Sequence, residues 1–102
     1  MDFINGADIQ RAFGGNLPPV PEDPERRMIL LLYVIDRLRS AGMDEQVEDC
    51  LMWNNWPNGF DWMVEAARDL ETFNGRALKL GWPIGLAGIK HKQQHPGEWP
   101  HH

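Results

Sequence analysis

Two histidines near the C-terminus have the spacing of metal ligands. His91 and His95 are four residues apart, so a helix would place both imidazoles on one face, as in many zinc sites. The residues between them are one lysine and two glutamines, which supply no carboxylate to complete such a motif. We therefore expect no physiological metal site. A metal-binding protein that uses these and the two terminal histidines is the lesser alternative.

Cys50 is the only cysteine and the only thiol nucleophile of the chain. A catalytic cysteine needs an oriented base and some access to solvent. Cys50 shares an apolar helical stripe with Val47 and Leu51, so we expect a buried and unreactive thiol. A single cysteine also excludes an intramolecular disulfide, which fits a reducing compartment and an expected cytoplasmic location.

Acidic side chains are concentrated in the middle of the chain. Residues 43 to 74 contain eight acidic residues and one basic residue, Arg68, whereas residues 75 to 102 are net basic. Paired carboxylates hydrolyse glycosides only when they face each other across a cleft, and here they follow helix faces that we expect to be exposed. We expect neither enzymatic activity nor a cofactor. Phosphate repulsion opposes direct nucleic-acid binding, whereas a basic protein surface would be attracted.

Three of the five tryptophans lie among these acids. At helical spacing, Trp53, Trp56 and Trp62 cannot all occupy the centre of one buried stripe. Tryptophans at the edge of a stripe either close a small core or anchor a protein partner, and both interpretations stay open. If one of the three contacts a partner, Trp56 is the first candidate, because the turn that contains it would project it from the surface.

Four predicted helices must position these residues, which makes the fold class all-α. They cover residues 5–13, about 24–41, 43–55 and 59–73. Asp44 is the expected N-cap of the third helix, and the Asn-Gly pair at 74–75 is the expected stop of the fourth.

The second predicted helix has the clearest signals. Asp23 suits the N-cap, Pro24 the first helical position and Gly42 the position after the last turn. Residues 28–35 are apolar on every side, which is typical of a central buried helix. This run of eight residues is too short to cross a bilayer, so we expect no membrane association.

The C-terminal quarter is harder to interpret. Residues 83–94 could form a short helix or an extended arm, since their internal glycines weaken a helix. We expect a small bundle of about four helices plus an irregular basic C-terminal segment. Residues 1–92 would form a single domain, and residues 93–102 a flexible tail.

Together these patterns favour a small acidic protein-interaction module. It would act as an inhibitor or adaptor on a basic, nucleic-acid-binding protein surface, by analogy in size and charge with phage-encoded inhibitors. The expected partner-binding residues are Asp44, Glu45, Glu48, Asp49, Trp53, Trp56, Asp61, Trp62 and Glu65. The alternative is an assembly subunit that self-associates through exposed aromatics, so we expect a monomer or a small homo-oligomer.

Overall fold

Five α-helices make up the structure, a computed structural model that describes residues 3–98. In chain order they are α1 (Gly6–Ala12), α2 (Pro24–Ser40), α3 (Asp44–Trp53), α4 (Asp61–Leu80) and α5 (Gly85–Gln94). No β-strand occurs between residues 3 and 98, so the predicted all-α class is confirmed. The expectation of about four helices is only partly correct, because the C-terminal segment contributes a fifth.

α2 begins and ends at the residues that the sequence indicates. The Asp23 carboxylate accepts a hydrogen bond from the backbone N–H of Arg26 at 3.0 Å, and Pro24 occupies the first turn. Such an N-cap stabilises a helix by about 1 kcal/mol. Gly42 follows the last turn with a positive φ of 83°, a conformation that favours glycine.

α2 is also the centre of the core. Leu31, Val34 and Leu38 are fully buried, and the helix contacts α1, α3, α4 and α5. Burial of each such side chain contributes about 1.5–3 kcal/mol. The apolar run of α2 is therefore covered from several sides by different helices.

α1 is capped at its start and anchored by one side chain. Asn5 and Asp8 form a reciprocal capping box, in which each side chain accepts a hydrogen bond from the other residue's backbone N–H. Ile9 is fully buried against the core. In the proline-rich segment that follows, Leu17 packs against the core whereas Val20 stays exposed.

The start of α3 differs from the prediction. Met43, and not Asp44, is the N-cap residue, and within residues 3–98 no side chain caps this helix end. Asp44 occupies the first turn, where its charge interacts favourably with the helix dipole. α3 directs Val47 and Cys50 into the core and ends at Asn54, which adopts a left-handed φ of 46°.

α4 continues through the predicted stop. An Asn-Gly pair costs about 1 kcal/mol or more inside a helix, yet Phe73 before it and Ala77 after it are both buried. The Asn74 amide oxygen also accepts the backbone N–H of Gly85 at 2.9 Å. Tertiary packing therefore outweighs the local signal, and the helix ends instead at Gly81, whose φ is 74°.

α5 decides the open question about residues 83–94 in favour of a helix. Ile89 is fully buried, and Lys92 forms an ion pair with Glu25 of α2 at 3.6 Å. Gln93 and Gln94, the first two residues of the expected tail, are helical. Residues 99–102 of that tail lie outside the described residues.

Close packing at Gly88 generates a test of how α5 is held. A Cβ atom there would collide with the carbonyl oxygen of Pro83 and lie 3.1 Å from Phe73. Gly88→Ala should therefore lower the free energy of unfolding by about 1–3 kcal/mol in urea melts.

Gly75 in α4 provides the matched control. Apart from its chain neighbours and the adjacent backbone of α4, no described atom lies within 4 Å of its added Cβ. Gly75→Ala should raise stability by about 0.5–1 kcal/mol, because alanine is the better helix former. Equal effects of the two substitutions would contradict the packing of α5 on α4.

Candidate functional site

The nine expected partner-binding residues fall into three classes of exposure. Six are exposed: Asp44, Glu45, Glu48, Trp53, Asp61 and Glu65. Asp49 and Trp62 are partly buried, and Trp62 packs against the core. Trp56 is buried, so the nine residues do not form one surface.

The expectation that the turn projects Trp56 is wrong. Its side chain is only 7% exposed and belongs to the hydrophobic core. The left-handed conformation of Asn54 turns the chain after α3, and the segment that follows carries the indole inward. A turn in the sequence does not reveal which of its side chains points to the core, and a large aromatic ring gains most from burial. Trp56 therefore closes the core and is unavailable to a partner.

The outer face of α3 carries exposed apolar and acidic side chains together. Met52 is 73% exposed, and it lies on the same face as Glu48, one turn earlier, and Glu45, two turns earlier. Trp53 is 57% exposed on the neighbouring flank, one turn after Asp49. Methionine and tryptophan side chains are enriched at protein interfaces relative to the rest of the surface.

Most acids of positions 43–74 form no ion pair with a described basic side chain. Among the described residues, only Glu48 of the eight acids in positions 43–74 forms an ion pair, with Arg39 of α2 at 2.7 Å. Both side chains of this pair are exposed, so it contributes at most about 1 kcal/mol. The negative charge of α3 is thus largely uncompensated.

Two acids of α4 lie on a different side from α3. Asp69 follows Ala67 by two residues, which places it about 200° around the helix. Ala67 faces α3 across a groove, so Asp69 and Glu65, one turn earlier, lie on the far flank of α4. Glu71, in contrast, lines the groove. Glu65 and Asp69 therefore do not join the acids of α3 in one surface.

A groove that the sequence did not reveal separates α3 from α4. Both helices pack on α2, and their backbones come close to each other at few places. The space between them is about 620 Å³. We name it the α3/α4 groove, and it is lined by Leu51, Met52, Asn54, Ala67, Arg68, Leu70, Glu71, Asn74, Gly75 and Leu78. The sequence did not predict this groove, because part of its wall belongs to the last turns of α4, beyond the expected helix stop at residues 74–75.

Cys50 behaves as a buried apolar residue. Its side chain is fully buried, and burial raises the pKa of its thiol above the usual value; a hydrogen bond with the backbone of Ile4 partly opposes this, and the charge of Asp49 adds to it. A neutral and inaccessible thiol is a poor nucleophile.

His91 of α5 stacks on His95, the residue that follows the helix. The ring centroids of His91 and His95 are 4.5 Å apart, and Trp82 lies against His91 at the same distance. Glu98 is 3.6 Å from the Nδ1 atom of His95. Between residues 3 and 98 no three His, Cys, Asp or Glu side chains are arranged to hold a metal ion, and the two terminal histidines lie outside the described residues.

Comparison of the chain with protein-family models, curated proteins and solved structures finds no match. The helices between residues 3 and 98 also lack the combined length and apolar character that a membrane crossing requires.

The burial of Trp56 predicts a large difference between two neighbouring tryptophans. Trp56→Ala should lower the free energy of unfolding by about 3–5 kcal/mol, because it leaves a cavity in the core. Trp53→Ala should change it by no more than about 0.5 kcal/mol, since an exposed side chain is removed. Denaturant unfolding followed by circular dichroism measures both, and a similar loss for the two variants would refute the assignment.

The buried thiol of Cys50 makes a second prediction. At mildly alkaline pH, a chromogenic disulfide reagent should modify the native protein at least about tenfold more slowly than the urea-unfolded chain, because burial lowers both access and the thiolate fraction. Equal rates would show that Cys50 is exposed.

Proposed function

We propose that this chain is a non-enzymatic protein-interaction module that docks on a basic surface of a partner protein. The observation that carries the proposal is the outer face of α3. There, exposed Met52 and Trp53 lie among acids of which only Glu48 forms an ion pair with a described residue. Uncompensated charge and exposed apolar area both cost less free energy when a partner of complementary character covers them.

The two kinds of side chain would contribute differently to binding. Aromatic and methionine side chains are enriched at interfaces, where a few of them supply most of the binding energy. The acids would accelerate association with a positively charged partner and discriminate against acidic ones. Met52 and Trp53 would then be the anchors, and Glu45, Glu48 and Asp49 the surrounding charges.

The partner class that best fits this surface is a nucleic-acid-binding protein. Such proteins carry clustered lysine and arginine for phosphate contacts. An acidic module seated on that cluster would compete with the nucleic acid, so inhibition or adaptor activity is the expected consequence. Phage-encoded inhibitors are comparable in size and charge, and this comparison is an analogy only.

Self-association is the competing interpretation of the same exposed side chains. A symmetric contact between the α3 faces of two copies is opposed by charge, because it would bring the acids of α3 together. Light scattering separates the two cases. An oligomer that Trp53→Ala disrupts would favour assembly over docking on another protein.

Charge reversal on α3 tests the proposal. The double substitution Glu45→Lys with Glu48→Lys should weaken binding to purified basic nucleic-acid-binding proteins at least about tenfold, because like charges then face each other. Wild-type binding should also weaken as salt rises. Isothermal titration against a panel of such proteins measures both effects.

Glu22→Lys is a control for charge reversal outside α3, since Glu22 is an exposed acid in the proline-rich segment. It should leave binding unchanged. The double variant should keep its unfolding midpoint apart from the small contribution of the exposed Glu48–Arg39 pair. Retained affinity in the double variant would show that α3 merely presents a solvated acidic face.

A further inference from the structure

The α3/α4 groove has the shape of a seat for one more helix. Its α4 wall runs from Ala67 to Leu78, which corresponds to about 16 Å or three helical turns. The opposite wall is the C-terminal end of α3, from Leu51 to Asn54, and both helices pack on α2. Recognition of a helix in a groove uses an apolar face that inserts between two such walls.

Apolar side chains line part of the groove edge, beside the exposed side chains of Arg68 and Glu71. Met52 projects from α3 and Leu78 from α4, and Leu78 is 65% exposed. Leu51 and Leu70 lie deeper, and Leu70 is nearly buried. Covering Met52 and Leu78 would remove their side chains from water, which favours an occupant with an apolar stripe.

The charged residues around the groove determine which net charge of the occupant is favoured. Glu48 and Glu45 precede Met52 on the same face of α3, and Glu71 lines the α4 wall. Arg68 is the one basic residue among the lining residues. A second copy of this acidic chain would meet repulsion, whereas lysine and arginine beside the apolar stripe would be attracted.

We infer that the α3/α4 groove binds a basic amphipathic helix of the partner, about three turns long. This inference rests on the proposed function, because it assigns the partner segment to a particular place on the same module. Leu51, Met52, Leu70 and Leu78 would contact the apolar stripe, and Glu48 and Glu71 its basic flanks.

Gly75 allows the groove to be blocked without damage to the core. It lines the groove, and no described atom beyond its chain neighbours and the adjacent backbone of α4 lies within 4 Å of a Cβ added there. Gly75→Leu should therefore fill the groove while improving the helix propensity of α4. Gly75→Ala is its matched control, because it adds only a methyl group.

The probe is a labelled synthetic peptide of about 18 residues, with leucines at helical i, i+3, i+4 and i+7 spacing and lysines elsewhere. A scrambled peptide of the same composition controls for charge alone. In fluorescence anisotropy, wild type and Gly75→Ala should bind the helical peptide, and Gly75→Leu should bind it at least about tenfold more weakly. Leu78→Ser should weaken binding while Leu80→Ser, on the other flank of α4, should not.

Three results would overturn the inference. Equal binding of the scrambled and helical peptides would show attraction by charge alone. Unchanged affinity in both Gly75→Leu and Leu78→Ser would show that the peptide binds elsewhere. If the α3 charge reversal still abolished binding in that case, the groove inference would be wrong and the proposed function would stand. Dimerisation that Gly75→Leu disrupts would identify a second copy as the occupant. Absence of binding to this peptide and to every basic protein tested would overturn the proposed function as well.

Discussion

Burial of the apolar side chains of α2 is the constraint on which the remaining structure depends. A helix with leucine, isoleucine and valine on most sides cannot bury all of them against one other helix, so several helices must surround it. Each of the other four helices contacts α2. The placement of α3 and α4, and thus of every candidate binding residue, follows from where each helix meets this central one.

The parts of the fold that the sequence predicts correctly are those set by local chemistry. Asp23, Pro24 and Gly42 define the ends of α2, and Asn5 caps α1, because capping involves residues only a few positions apart. The helical stripe around Val47 and Cys50 is equally local. In each case the backbone and the side chains that satisfy it lie within one or two turns.

The features that the sequence does not predict depend on distant contacts. The Asn-Gly pair at 74–75 favours the end of a helix, but the Asn74 side chain accepts a hydrogen bond from the backbone N–H of Gly85, eleven residues later. Trp56 lies in a turn, and only the three-dimensional position of the core decides that its ring points inward. The groove is less predictable still, since it is a space between two helices that a third holds in place. Half of the candidate site, the outer face of α3, could be anticipated, whereas its relation to α4 could not.

The open groove between α3 and α4 also bears on the cost of recognition. A ligand would not have to separate the two helices, because the groove is already present and both helices are held by α2. Folding of the core therefore already fixes the width of the groove, and binding would require no further free energy to open it. Thermodynamically, such a module would separate stability from specificity: substitutions along the groove and the outer face of α3 could retune the choice of partner while the central helix keeps the chain folded.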